Sequence, residues 1–275
     1  MHADAAFIVG HAHHDKAQAC QDYALSGAGP TSAWALVADG CSTGRRTDLG
    51  ARLWAHAGAA LLAKSRLDTM EVFAHALGCP EAARALGVEF EDMLATLVVM
   101  QADVSRLRVM AFGDGCVVLK YKDGRVRAIE MTYELNGPRY LAYETLAGMT
   151  RRWETDVAGS QRTARHWVFD AQGELVSCED EVCLATQGLG WDFSFDLLTE
   201  DLELALVTTD GASSIDSRAA KDWFLPLAAV RSCVGQFVQR RVAAMVRGWQ
   251  KSGKKGPSDD LAVAGIWLAA EDTHG

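Results

Sequence analysis

The stretch Ala33–Gly40, with the sequence AWALVADG, joins an uninterrupted apolar run to an Asp-Gly pair. A continuous apolar run of this length is typical of a strand that is buried on both faces. After a short loop, apolar residues recur at helical spacing from Leu49 to Leu61, which predicts a helix. An aspartate at the end of a buried strand has a rigid support while its carboxylate faces solvent. The stretch therefore predicts a strand, a loop that carries a functional Asp39, and a helix.

Two further stretches also combine aspartate with an apolar run, namely LALVTTDG at Leu204–Gly211 and GPSDDLAV at Gly256–Val263. When several such carboxylates converge, their oxygen atoms form a site for a hard cation such as Mg²⁺, Mn²⁺ or Ca²⁺. Each aspartate on its own also has a simpler interpretation, because Asp can cap a following helix or form a hairpin turn. We assign Asp123-Gly124 to this simpler class, since it joins two alternating, half-exposed strands.

The rest of the pattern predicts antiparallel sheets covered by helices. Four short β-rich runs follow one another at Leu94–Met100, Leu107–Phe112, Cys116–Lys122 and Arg125–Met131. Their spacing is too close for parallel pairing, because a parallel crossover needs a dozen or more residues. More β-like runs lie within residues 163–187, and a last strand begins at Leu261; helical patterns cover about 70–77, Ala219–Val230 and Cys233–Gln250. This grouping of strands and helices predicts α+β layering and not a doubly wound fold.

The composition favours one domain over residues 1–275. The chain has only five prolines and no long Ser/Gly tract, so nothing marks a linker. Its net charge of −9 argues against nucleic acid as a partner, because nucleic-acid binding usually needs a basic face. The longest apolar stretches are much shorter than the roughly 20 residues that cross a bilayer, and no leader pattern opens the chain. Seven scattered cysteines without a Cys-x-x-Cys pair indicate reduced thiols, so we expect a cytoplasmic protein.

Taken as an ordered set, the motifs resemble the metal-dependent protein phosphatase family of type 2C, in particular its shorter bacterial members. The matching segments are Cys20–Asp22, Leu36–Gly40, Ala95–Val99 with Ala111–Gly115, Leu206–Gly211, and Ser258–Val263. They occur in the family's order, and the resemblance extends from about Gly10 to Leu268. Residues 149–198 fit the family least well.

The resemblance implies a four-layer α-β-β-α sandwich of two antiparallel sheets flanked by helices, with a binuclear Mn²⁺ or Mg²⁺ site. By position, Asp39 would bridge the two ions, and Asp210 and Asp259 would bind the first ion. The carbonyl of Gly40 would bind the second ion. Asp22 would support the metal-bound waters from behind, and Asp114 matches a residue that holds a third, weaker ion in some relatives.

The implied activity is metal-dependent hydrolysis of a phosphomonoester by a water that bridges the two ions. Phosphoserine or phosphothreonine in a protein is the substrate that the family suggests, which would place the chain in signal transduction. Two alternatives stay open. The first alternative is a catalytically silent binding or regulatory module with the phosphatase fold, and the second is a phosphatase for small molecules. The sequence does not distinguish the substrates, and it leaves the oligomeric state open.

Substrate contacts are predicted less directly than the metal ligands. His13 matches a histidine of bacterial relatives, and the resemblance suggests that His13 and Lys16 contact the substrate; a plain surface loop is the simpler interpretation of this segment. Cys41 follows the Asp-Gly pair where some relatives have a histidine that protonates the leaving group. Because a thiol is a poor substitute for that acid, we interpret Cys41 as structural, which leaves the general acid unassigned.

The family-poor residues 149–198 contain several large aromatic side chains. Trp153, Trp167, Trp191 and Phe193 stand out in this segment. The sequence allows two interpretations, that these rings belong to the core or that they form an interaction surface beside the active site.

Overall fold

The computed structural model describes residues 1–64, 79–145, 149–188, 190–195, 201–215 and 220–269. The strands are β1 His2–Ile8, β2 Asp22–Ala28, β3 Ser32–Asp39, β4 Leu97–Asp103, β5 Leu107–Phe112, β6 Gly115–Tyr121, β7 Val126–Tyr133, β8 Gln161–Phe169, β9 Leu175–Leu184, β10 Trp191–Phe195, β11 Leu202–Thr208 and β12 Leu261–Trp267. The α-helices are α1 His11–His14, α2 Thr47–Leu62, α3 Cys79–Ala85, α4 Ala142–Thr145, α5 Met149–Asp156, α6 Lys221–Ala228 and α7 Phe237–Lys251. Short 3₁₀ turns occupy Glu91–Met93, Glu134–Asn136 and Asp210–Ala212.

The strands form two sheets in which neighbouring strands run antiparallel. One sheet has seven strands in the order β1-β12-β11-β6-β7-β8-β9, and the other has five in the order β10-β5-β4-β3-β2. Of the closely spaced runs, β4 pairs with β5 and β6 pairs with β7 as antiparallel hairpins, as predicted, whereas β5 and β6 lie in different sheets. Between β6 and β7 the Asp123-Gly124 turn has Gly124 at φ +89°, and the Tyr121 N–H donates to the Arg125 carbonyl at 2.9 Å. This Asp-Gly pair is a hairpin turn, as predicted.

The two faces of the seven-stranded sheet pack into two different apolar clusters. Val117, Val207 and Ala264 belong to the same buried cluster as Val37 and other side chains of the five-stranded sheet. The intervening side chains of β6, β11 and β12 instead pack against α6 and α7, in a second cluster that includes Phe224. This alternation follows from the two-residue period of a strand.

The other outer layer is formed by α2, which packs against β2 and β3 of the five-stranded sheet. Its Trp54 is almost fully buried, and the indole N–H donates to the Met93 carbonyl at 2.9 Å. The layers therefore follow the order helix, sheet, sheet, helix, and the predicted four-layer α+β fold is confirmed. Within the ranges given above, no helix is both long and apolar enough to cross a membrane.

Some predicted elements differ from the structure or lie outside it. β1 was not predicted; it pairs along its full length with β12, from His2 opposite Trp267 to Ile8 opposite Leu261. The helix predicted over about 70–77 lies outside the described residues. The predicted helix Ala219–Val230 is shorter in the structure, where it covers Lys221–Ala228.

The family-poor segment supplies strands to both sheets. β8 and β9 extend the seven-stranded sheet, and β10 extends the five-stranded one. Trp153, Trp167 and Trp191 are all less than a tenth exposed. Phe193 is half-buried and stacks on Trp191. Of the two interpretations, these aromatic rings therefore belong to the core.

Candidate active site

A cavity of about 270 Å³ lies where the ends of the two sheets meet. Asp39 is the last residue of β3 in one sheet, and Asp210 follows β11 in the other. Asp259 precedes β12, and Asp114 lies in the turn that leads from β5 to β6. The lining residues are Gln21, Asp39, Gly40, Cys41, Ser42, Thr43, Leu94, Asp114, Asn136, Gly137, Pro138, Tyr140, Tyr143, Asp210 and Asp259. Both sheets thus contribute carboxylates to one site.

The two glycines of the Asp-Gly pairs allow close backbone approach. A Cβ atom at Gly40 would lie 2.6 Å from the Thr47 carbonyl oxygen at the start of α2. A Cβ atom at Gly211 would overlap the Asp260 carbonyl oxygen. Neither glycine has a positive φ, so packing and not turn conformation requires the missing side chain. This close packing holds Asp39 and Asp210 against neighbouring backbone.

Asp22 lies directly behind Asp39. The two residues are register partners in the β2–β3 pair, and their carboxyl groups interact. Asp22 is only 2% exposed, and the Thr209 hydroxyl donates to its Oδ2 at 2.5 Å. Thr209 Oγ1 in turn accepts the Ala262 N–H at 3.0 Å. Thr209 therefore connects the Asp22 carboxylate of one sheet to the backbone of the other, which orients Asp22 toward Asp39.

The carboxyl groups of the site repel one another. Burial raises the pKa of Asp39, and the negative charges of Asp22, Asp210 and Asp114 raise it further. Burial, followed by the charge of Asp210, raises the pKa of Asp114 to about 7. Burial, followed by the charge of Asp259, raises the pKa of Asp210 to about 6. A bound cation would relieve this repulsion by replacing the protons.

The donor set fits hard divalent cations. Carboxylate oxygens and the backbone carbonyl of Gly40 are the oxygen ligands that Mg²⁺, Mn²⁺ and Ca²⁺ prefer. In the part of the chain that the structure describes, the cavity lining contains no Lys, Arg or His. The described lining therefore concentrates negative charge and supplies no basic side chain.

The structure brings together all five predicted metal ligands, because Asp39, Gly40, Asp114, Asp210 and Asp259 line the same cavity. Asp22 is buried beside Asp39 and does not line the cavity, and its role in supporting metal-bound waters stays a prediction.

His13 and Lys16 do not line this cavity. His13 is buried, and its Nδ1 lies 2.9 Å from Asp260 Oδ2 and 3.9 Å from Asp259 Oδ1. The Nδ1 contact lacks the alignment of a hydrogen bond. Lys16 is exposed. Their role in substrate binding stays a prediction.

Sequence reasoning did not single out Asp260 beside Asp259. Asp260 is only 1% exposed, and its two oxygens accept the N–H groups of Gly10 at 2.8 Å and Gln21 at 2.6 Å. Asp260 therefore ties the N-terminal segment to the turn before β12 that carries Asp259. The doubled aspartate was a visible signal, but its sequence does not show which carboxylate faces the cavity.

The segment from Asn136 to Tyr143 forms another part of the cavity lining. Buried Arg139 anchors it, because its Nε donates to Glu144 Oε1 at 2.9 Å and its guanidinium lies 5.3 Å from the centre of the Trp153 ring. Trp153 belongs to the family-poor segment, so that segment supports one wall of the cavity. Opposite, the Cys41 thiol contacts Thr43 Oγ1 at 3.0 Å.

We expect the metal-free protein to lose stability as the pH rises from about 5 to 8. The pKa values of about 7 for Asp114 and about 6 for Asp210 lie above the ordinary value, so the folded state binds more protons than the unfolded chain. The stabilisation is complete below the ordinary pKa and is lost as the pH passes the raised values. A loss on the order of 2 kcal/mol is expected, measured as urea midpoints in chelator.

The matched control is Asp114→Asn, whose stability should depend less steeply on pH. Addition of Mn²⁺ at about pH 8 should restore stability by roughly 2.7 kcal/mol at a hundredfold excess over the dissociation constant. Metal-free protein that is more stable at pH 8 than at pH 5 would contradict the repulsion described here.

Solved structures with this fold include several phosphatases. A bacterial serine phosphatase is 8% identical with a TM-score of 0.57, covering 99% of this chain and 100% of that chain. The phosphatase domain of SpoIIE from Bacillus subtilis, with a fragment of its regulatory domain, is 11% identical with a TM-score of 0.53, covering 97% and 62% respectively. A C. elegans sex-determining protein is 14% identical with a TM-score of 0.53, covering 98% and 65%. At these identities the likeness shows the fold alone.

The curated proteins contain no match to this chain. The sequence model of protein phosphatase 2C, in contrast, matches residues 9–236, which is more than half of the chain. The matched range contains Asp22, Asp39, Asp114 and Asp210, and it ends before Asp259. The chain therefore belongs to the protein phosphatase 2C family.

Proposed function

We propose that this protein is a metal-dependent phosphomonoester hydrolase that removes phosphate from phosphoserine or phosphothreonine in proteins. Mn²⁺ or Mg²⁺ would be held by Asp39, the Gly40 carbonyl, Asp210 and Asp259, and Asp114 would hold a weaker third ion. The observation that carries the proposal is a cavity lined by four aspartates and, among the described residues, by no basic side chain. Such a cavity repels a phosphate dianion unless cations occupy it.

The bound cations would neutralise the phosphate oxygens and lower the pKa of the attacking water. The chain's own residues position this chemistry. Asp22, oriented by Thr209, supports Asp39 from behind. The Gln21 side-chain amide donates to Thr47 Oγ1 at 2.8 Å, which links the segment before Asp22 to the start of α2.

The proposal requires no nucleophilic side chain. Cys41 is the only cysteine in the described lining, and its thiol contacts the Thr43 hydroxyl and not a base. Direct attack by water in a single step is therefore the simplest reaction that these residues support. Cys41 would hold the loop between β3 and α2 in place.

Family membership supports the proposal of a protein substrate. The free cysteines support the proposal of a cytoplasmic location. The family is described as protein phosphatase 2C. The six cysteines that can be described are all free thiols, which is usual in a reducing compartment. A role in signal transduction follows if the substrate is a phosphorylated protein.

The test is hydrolysis of a chromogenic aryl phosphate with Mn²⁺, with Mg²⁺ and with chelator. Asp210→Asn should lower the rate at least about 100-fold, because the site loses one charged ligand. Asp123→Asn is the matched control, because it changes an Asp-Gly pair in a surface hairpin and should stay within about twofold of the unmutated protein. Phosphopeptides should then be dephosphorylated with the same metal requirement.

Activity that persists in chelator, or equal rates for Asp210→Asn and the control, would overturn the proposal. If the protein binds Mn²⁺ by calorimetry but hydrolyses neither the aryl phosphate nor phosphopeptides, the chain is a silent binding module. Hydrolysis of small phosphates without any action on phosphopeptides would instead assign a small-molecule phosphatase.

A further inference from the structure

The outermost strand of the seven-stranded sheet, Leu175–Leu184 with the sequence LVSCEDEVCL, has a free side. We call it the β9 edge. It pairs with β8 on one side and ends the sheet on the other, within the part of the chain that the structure describes. Most of its side chains are exposed. A long exposed edge strand with neither lysine nor proline lacks two common protections against pairing with another chain.

The two faces of the β9 edge differ in chemistry. Cys178, Asp180, Val182 and Leu184 alternate along one face, and the apolar Val182 and Leu184 are 49% and 54% exposed. Glu179 and Glu181 point to the opposite face, because successive side chains of a strand alternate. That second face borders an open groove of about 640 Å³.

The basic side chains near this groove already have acidic or imidazole partners. Arg165 binds Asp180 through two contacts of 2.7 and 2.8 Å, and Arg125 binds Asp123 at 2.6 Å. Arg127 contacts His166 at 3.2 Å.

His166 does not neutralise the glutamates. Its Nε2 lies 3.7 Å from Glu181 Oε2, and burial, followed by the charge of Arg127, lowers the pKa of His166. Glu179 and Glu181 thus leave a negative face toward the groove, in a chain whose net charge is −9.

A second copy of this chain is a poor occupant of the β9 edge. In an antiparallel pair centred on Asp180, Asp180 would face its own copy and Glu179 would face Glu181 of the other chain. A shift of one residue would place Glu179 opposite Asp180. Like charges directly opposite one another destabilise a strand pair, so charge favours a basic partner over self-association.

We propose that the β9 edge binds an extended segment of another protein in which basic and apolar residues alternate. The segment would add a strand to the seven-stranded sheet through backbone hydrogen bonds. Its basic side chains would face Glu179 and Glu181, and its apolar side chains would cover Val182 and Leu184. This inference does not depend on phosphatase activity, because no residue of the β9 edge lines the candidate active site.

The test uses a fluorescent eight-residue peptide of alternating valine and lysine, with binding followed by anisotropy. Glu179→Gln/Glu181→Gln should weaken binding at least tenfold, while Asp180 and its contact with Arg165 are kept. The matched control is Glu154→Gln/Asp156→Asn on α5, which removes the same charge elsewhere and should stay within twofold. Thermal unfolding followed by circular dichroism checks that both variants are folded.

A second peptide of the same sequence, N-methylated at each residue, keeps its charge but cannot donate backbone hydrogen bonds. It should bind at least tenfold more weakly than the unmodified peptide. Equal loss of binding in the two protein variants would show unspecific charge attraction and overturn the proposal. Equal binding of the two peptides would also overturn it, as would a dimer of the unmutated protein that Glu179→Gln/Glu181→Gln dissociates.

Discussion

Asp39→Asn should abolish metal-dependent hydrolysis of the aryl phosphate, with a loss in kcat/KM of at least about 10³-fold. The Asp39 carboxyl interacts with that of Asp22 on the neighbouring strand β2, and the negative charges of Asp210 and Asp114 act on it as well. Because Asp39 would bridge the two ions, its carboxylate is the one whose removal would affect both ions of the proposed binuclear site. The substitution keeps the side-chain shape, so the loss reports on charge and ligation.

The comparison that makes this result informative is Asp114→Asn, which should lower kcat/KM only about tenfold. Asp114, in the turn between β5 and β6, would hold only the weaker third ion. The measurement is kcat/KM across a range of Mn²⁺ concentrations for both variants. A larger loss for Asp114→Asn than for Asp39→Asn would overturn the assignment of the central ligand.

Gly211→Ala should lower the free energy of unfolding by at least about 3 kcal/mol. The added Cβ atom would overlap the carbonyl oxygen of Asp260, which is backbone and cannot rotate away. Relief of the overlap requires the chain after β11 to separate from the segment before β12. We expect activity to fall as well, because those two segments carry Asp210 and Asp259.

Gly248→Ala is the matched control for this prediction. Gly248 lies in α7, is exposed, and has no atom within 4 Å of the position of a new Cβ. Alanine there should raise the free energy of unfolding by about 0.5–1 kcal/mol, because glycine is costly inside a helix. Urea unfolding of both variants measures the difference. A destabilisation of similar size at both glycines would contradict a specific clash at Gly211.

Strands and helices were predictable where the apolar residues show one clear pattern of spacing. The apolar run that ends at Asp39 is β3, and Leu107–Phe112 is β5 with the predicted bounds. In contrast, β1 was missed because its side chains are only partly buried and show no clear alternation. Its place in the sheet depends on pairing with β12, which is far away in the sequence.

The aspartates that line the candidate site were predictable from the sequence, but the residues that hold them in place were not. Asp39, Asp114, Asp210 and Asp259 were identified because each belongs to an ordered motif of a known family. Thr209 and Asp260 were not, although they lie beside two of these residues. Their roles depend on atoms in distant segments, namely the carboxylate of Asp22 and the N–H groups of Gly10 and Gln21.

The amino-acid sequence alone determined which segments are strands and helices in most of the chain, and which aspartates match the ordered motifs of one phosphatase family. The spacing of apolar residues and the short motifs are properties of residues close together in the chain, so the sequence shows them directly. Only the tertiary structure decided that Asp260 is buried while Asp259 faces the cavity, that the tryptophans of residues 149–198 are core, and that the β9 edge is open. These outcomes depend on which distant surfaces exclude water from a side chain, and that is settled only when the two sheets and their helices pack together.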